Sequence, residues 1–154
     1  MRRIETIVAA IAMICVLIQL VPMSRENPPI TQDVAAPPQV KAILRHACYD
    51  CHSNETRWPW YAHVAPVSWL VARDVRRGRQ HLNFSTWDKY ADDPQTVIRK
   101  LRNIDEAMHN DSMPLWYYLT EHADARLSDA DRRAIEDWVI GSIKGVKKQE
   151  GISQ

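Results

Sequence analysis

Five consecutive residues, Cys48, Tyr49, Asp50, Cys51 and His52, form a C-x-x-C-H run whose residue types and spacing can do chemistry. On a helical turn Cys48 and Cys51 fall three apart, and Cys48 and His52 four apart, so two thiols and an imidazole leave one face. That face suits a flat macrocycle. The thiols would form thioether bonds to haem vinyl groups, and His52 would supply one axial ligand to the iron. Two other chemistries use the same residues. A redox-active dithiol sits at the end of a strand in an alternating strand and helix pattern, which is not visible here. A structural zinc site takes four Cys or His ligands. No second C-x-x-C or H-x-x-x-H accompanies the run, although His46 or His63 could complete a set with Cys48, Cys51 and His52.

The elements that must position this run follow from the rest of the chain. Its 154 residues, 45% hydrophobic, suit one globular domain plus an appendage, and a haem would add to the core. Without Arg2, Arg3 and Glu5, basic and acidic residues balance at 18 each, which gives no support to nucleic-acid binding. Six Trp and five Tyr against one Phe suit a pocket that is apolar yet offers N–H and O–H donors.

Residues 1–21 open with Arg2 and Arg3 and continue as an apolar run, Ile7 to Leu20. This is a signal peptide or, since no small-x-small cleavage site follows, an uncleaved signal anchor with its N-terminus inside. Cys15 in that run is a small buried hydrophobe. Both remaining cysteines belong to the C-x-x-C-H run, so no disulfide framework explains them. Residues 22–38 carry Pro22, Pro28, Pro29, Pro37 and Pro38 and are expected to form an extended tether. A haem-binding domain is expected over 39–145 and a polar tail over 146–154.

Within the domain, Val40, Ile43, Leu44 and Ala47 predict a helix over Gln39–Ala47 that delivers the chain into the run. An aromatic loop, Trp58-Pro59-Trp60-Tyr61, is expected to wrap the proximal side of the haem. A helix over Val67–Gln80 carries Val67, Leu70, Val71 and Val75 on one stripe, with Arg73, Arg76, Arg77 and Arg79 on a solvated face or available to haem propionates or a partner. A short element lies near Ser85–Tyr90 with Ser85 able to cap it. Asp93 caps a helix with Pro94 in its first turn, running to before Asn110. Leu115–His122 is read as helical. Ser128 caps a last helix over Asp129–Ile143 that packs against the first. No strand pattern is visible, so the fold class is all-α, about half helix.

With these elements placed, the exported part resembles class I cytochromes c in its helix into C-x-x-C-H, its downstream Met-Pro loop and its amphipathic C-terminal helix. It is more closely similar to the bacterial haem-binding domain family. The resemblance rests on Cys48 to Thr56, Trp58 to Tyr61, Ala65 to Leu70, His81 to Ser85 and Met113 to Tyr118, with Leu115 where a second proline is expected. It implies a small helical domain around one covalently attached haem c.

The expected function is a monohaem c-type cytochrome, a periplasmic electron carrier anchored in the bacterial cytoplasmic membrane or cleaved and soluble, serving redox partner proteins. Cys48 and Cys51 would hold the haem, His52 the proximal face of the iron, and Met113, fixed by Pro114 in a loop, the distal face. His109 ranks next as a distal ligand, with His122 or His63 behind it. The alternatives are a peroxidase-like enzyme with an open distal site, in which His63, His81, His109 or His122 does acid-base work, and a haem-containing sensor or accessory subunit.

Overall fold

The computed structural model describes residues 2–151, and among them helices account for all regular structure. Helix α1, Arg2–Leu17, continues through a 3₁₀ turn to Leu20. This 19-residue segment has a mean hydropathy of 2.0 and is long and apolar enough to cross a membrane. Helix α1 itself has no buried residue.

Helix α2 spans Pro38–Ala47, its proline in the first turn, and buries Val40, Leu44 and Ala47. A four-residue turn, α3, Tyr49–His52, follows directly. Helix α4, Val67–His81, buries Ser68, Ala72, Val75 and Gly78, a face of small residues that lets it approach α3 closely. Val67 and Leu70 of the expected stripe are exposed. Helix α5, Asp88–Ala91, is short and has no side-chain cap. Ser85 instead lies buried and accepts the Asn54 N–H at 3.0 Å. Asp93 caps α6, Pro94–His109, through the Gln95 N–H at 3.1 Å. Only Tyr118–Glu121, α7, is α-helical in the Leu115–His122 stretch. Ser128 and Asp131 close a capping box on α8, Asp129–Gln149, which overruns the expected end at Ile143 and takes in residues 146–149 of the expected tail. Residues 152–154 of that tail lie outside the described residues.

The core forms where α8 lies across α6 and α2, around Leu44, Phe84, Leu101, Ile135 and Val139. Each is essentially inaccessible to solvent, so truncating any of them would remove about 2–5 kcal/mol. The first and last helices of the domain pack together, as their amphipathic stripes require. Helix content, 67%, exceeds the half that periodicity suggests.

The proline-rich stretch is extended but is not a loose tether. Val34 is buried, and its N–H bonds the Phe84 carbonyl at 2.9 Å. The Thr31 N–H donates to the Ser85 carbonyl at 3.0 Å, and Gln32 and Thr86 form an isolated bridge. Trp138 Nε1 donates to the Ala35 carbonyl at 3.2 Å. Asn27 donates to the Thr56 carbonyl at 2.9 Å. Prolines remove N–H donors, so the strap is held by the few donors left and by side chains. Just before it, at the end of the apolar helix, Gln19 brackets Ala65, donating to its carbonyl at 3.1 Å and accepting from its N–H at 2.9 Å. Arg25 reaches the Ala62 carbonyl at 3.3 Å.

Arg79 departs from the solvated face expected of it. Its guanidinium donates to the Ser53 carbonyl at 2.7 Å, the Glu26 carbonyl at 2.9 Å, Asn27 Oδ1 at 2.7 Å and Thr56 Oγ1 at 2.9 Å. One side chain thus ties strap, loop and α4. Arg79→Ala leaves the buried Ser53 carbonyl without this donor and should remove about 1–3 kcal/mol of stability. Thermal melting should show a clear drop in midpoint for this variant and none for the exposed Arg76→Ala; equal midpoints would contradict the assignment.

Candidate functional site

A four-residue helix cannot hold itself together, because nucleation fixes several dihedrals for one hydrogen bond. Neighbours hold α3 instead. The Phe84 N–H donates to the His52 carbonyl at 2.8 Å, and the Thr56 hydroxyl donates to the Asp50 carbonyl at 2.7 Å. The Ser53 hydroxyl donates to the Tyr49 carbonyl at 2.7 Å. Tyr49 stacks on Phe84, ring centroids 5.2 Å apart, and donates its hydroxyl to Asp33. Behind the turn, Gly78 of α4 is so close that a Cβ there would collide with the Cys51 carbonyl oxygen.

The residues expected to hold a cofactor are brought together. Two adjoining hollows of about 260 and 320 Å³ lie in front of α3, and Cys48, His52, His81 and Met113 line both. Cys51 lines the larger. Leu82, Phe84 and Ile104 give one hollow apolar walls, and Arg73 and Arg77 stand at the rim of the other.

His52 is held for ligation. Its Nδ1 lies 3.1 Å from the Leu82 carbonyl, which assigns the ring proton to Nδ1 and leaves the Nε2 lone pair free. Burial pushes the imidazole below its ordinary pKa, which keeps it neutral, as a metal ligand must be. Burial, with the neighbouring Cys51, pushes the Cys48 thiol up to about 12. The Cys51 thiol also reaches about 12, through burial and then the Asp50 charge. Thiols this reluctant to ionise are poor nucleophiles in disulfide exchange, which counts against the dithiol reading. The zinc reading loses its fourth ligand. His46 is exposed and faces Asp124 at 3.7 Å, and His63 is exposed, so neither is gathered with the cysteines. Among the described residues no three His, Cys, Asp or Glu converge for a metal ion.

The histidines ranked behind Met113 fall elsewhere. His109 is exposed on α6, its Nδ1 3.0 Å from its own helix's Asp105 carbonyl and 3.6 Å from Glu136. His122 lies 2.7 Å from the Tyr61 hydroxyl and stacks on Tyr118 at 4.2 Å. The histidine at the cleft is His81, which spacing gave no reason to rank first. A second thioether, Met108, borders the smaller hollow from the buried face of α6. Met113 comes instead from the loop before Pro114.

Asp50 was missed by motif reasoning, since the inner positions of C-x-x-C-H vary freely in that pattern. It is 7% exposed, and its carboxylate accepts from the Arg57 N–H at 3.0 Å and the Tyr118 hydroxyl at 2.9 Å. It therefore pins the loops on either side of α3. The only available sign was an acidic residue followed by Arg57.

The donor set fits a haem: two neutral thiols, an imidazole with one free nitrogen, a thioether, apolar walls and guanidinium groups at the rim. The family model for a haem-binding domain matches residues 13–140. Comparison with curated proteins finds no match, and comparison with solved structures finds none either. The packing of Gly78 on Cys51 yields a test. Gly78→Ala should displace α3 from α4, remove about 1–3 kcal/mol of stability and reduce the haem that copurifies. A variant with unchanged melting and unchanged haem content would contradict the close approach.

Proposed function

The chain belongs to the haem-binding domain family and is a haem protein, and from that premise we propose that it is a monohaem c-type cytochrome carrying electrons at the outer face of the cytoplasmic membrane. In this reading Cys48 and Cys51 hold haem c covalently, each sulfur bonding one vinyl carbon while the thiol hydrogen goes to its neighbour. Both thiols are unpaired, as that addition needs. When bound, haem supplies an iron that takes up and releases one electron.

The chain's own residues do the rest. His52 presents Nε2 to the iron, and the Leu82 carbonyl keeps the ring in that tautomer. Met113 would hold the iron through a soft thioether, which favours the reduced metal and raises its potential. Arg73 and Arg77 stand where carboxylates of the macrocycle would find charge-assisted donors. The observation that carries the reading is the shared cleft of Cys48, Cys51, His52 and Met113. Arg2 and Arg3 open the apolar helix, so the positive-inside bias would keep them in the cytoplasm and place the domain in the periplasm. Its physiological partners in this reading are redox proteins.

Met113→Ala should abolish the sulfur-to-iron charge-transfer band, open the reduced protein to carbon monoxide and lower its potential. Met108→Leu should leave all three unchanged. The reverse pattern would move the distal ligand to Met108, and the same losses in His81→Ala alone would make the site bis-histidine.

A further inference from the structure

A further large hollow adjoins the haem cleft and shares Asp74, Leu115, Tyr117 and Tyr118 with it. It measures about 350 Å³, within the range of small-molecule sites, and reaches Cys51 but neither Cys48, His52 nor Met113. Its walls are apolar and aromatic, with Tyr61, Val71, Leu115, Tyr117 and Tyr118 among them. Polar groups punctuate them: His122 beside the Tyr61 hydroxyl, and Asp74 accepting from Tyr117 at 2.8 Å.

The position of the hollow narrows what it takes. Its lining includes Trp60, 77% exposed, with Val67 and Leu70, while Trp116, 76% exposed, stands between the lining residues Leu115 and Tyr117. Large exposed apolar side chains gathered at one opening mark a contact surface. The loop between Trp60 and Val67 is bracketed at Ala65 by Gln19, one residue from the end of the membrane-length helix, so this loop lies at the level where that helix would leave a bilayer. Exposed Trp at that level is typical of a membrane interface. An apolar pocket that opens on lipid and ends at a haem-bearing cysteine calls for a lipid-soluble electron donor.

We propose that this pocket binds a membrane quinol, which enters from the bilayer and reduces the haem across Cys51. The proposal rests on the c-type cytochrome reading. One quinol delivers two electrons to ferric iron in two successive one-electron steps, with the haem reoxidised by its partner between them. The quinol becomes a quinone and releases two protons to water.

The test uses the full-length holoprotein in lipid nanodiscs, its covalent haem first verified and its reduction by dithionite recorded, with decyl-p-benzoquinol as the probe. Wild type should be reduced by the quinol. Leu70→Trp, which fills the opening from a solvent-facing position, should be reduced about tenfold more slowly, while its spectrum and its reduction by dithionite stay unchanged. Equal quinol rates in the two proteins would overturn the pocket. Failure of the quinol to reduce a wild-type protein that dithionite reduces would overturn the donor class and leave the cytochrome reading standing. Failure to find covalent haem would remove the cytochrome reading itself.

Discussion

The site depends on a four-residue turn that is stable only because its surroundings hold it. Cys48 and the turn Tyr49–His52 carry both thiols and the imidazole, and the turn's own bonds are two, the Cys51 and His52 N–H groups on the Cys48 carbonyl. Contacts from distant parts of the chain supply the missing order: the Phe84 N–H on the His52 carbonyl, the Leu82 carbonyl on the His52 ring, and the bare face of Gly78 against Cys51. The segment 82–85 serves twice, since the strap pairs with its carbonyls while its donors and carbonyls fix α3. Loosening the strap would therefore loosen the ligand.

This arrangement ties the haem-binding domain to the end of its apolar N-terminal helix. A flexible tether would let the domain sample many orientations, at a distance set by chain statistics. A strap bonded at Gln19, Arg25, Asn27, Thr31 and Val34 fixes one face toward the end of the apolar helix. That face carries Trp60 and the exposed side of α4. The hydrophobic core, where α8 covers α6 and α2, also takes in Val34 of the strap.

Much of this was legible in the residues. The C-x-x-C-H run, the Asp93 and Ser128 caps, and the stripes of α2, α6 and α8 each have a local cause, so they survive folding unchanged. What was not legible depends on partners far away in sequence. Arg79 lies on a polar helix face like Arg76, and only the fold shows that its face meets the strap. Of the stripe Val67, Leu70, Val71 and Val75 only Val75 is buried, and it packs beside Ser68, Ala72 and Gly78, because close approach selects small residues over large apolar ones. The proline-rich stretch reads as an extended tether because prolines suppress regular structure. It is ordered through irregular bonds that leave no periodic trace. His109 and His81 are indistinguishable by residue type, and the direction in which each helix ends separates them. The resemblance to a haem-binding domain family is borne out by its match over residues 13–140, whereas the likeness to class I cytochromes c has no counterpart among solved structures.

The central claim is that Cys48 and Cys51 bind haem covalently in the cleft that His52 and Met113 share. The most direct measurement is the intact mass of the denatured chain, expressed with a c-type maturation system, beside Cys48→Ala/Cys51→Ala. The wild-type chain should carry the mass of one haem and stain for it after denaturation, and the double variant should carry none. A wild-type chain at its unmodified mass, or haem colour retained equally by the double variant, would contradict the account.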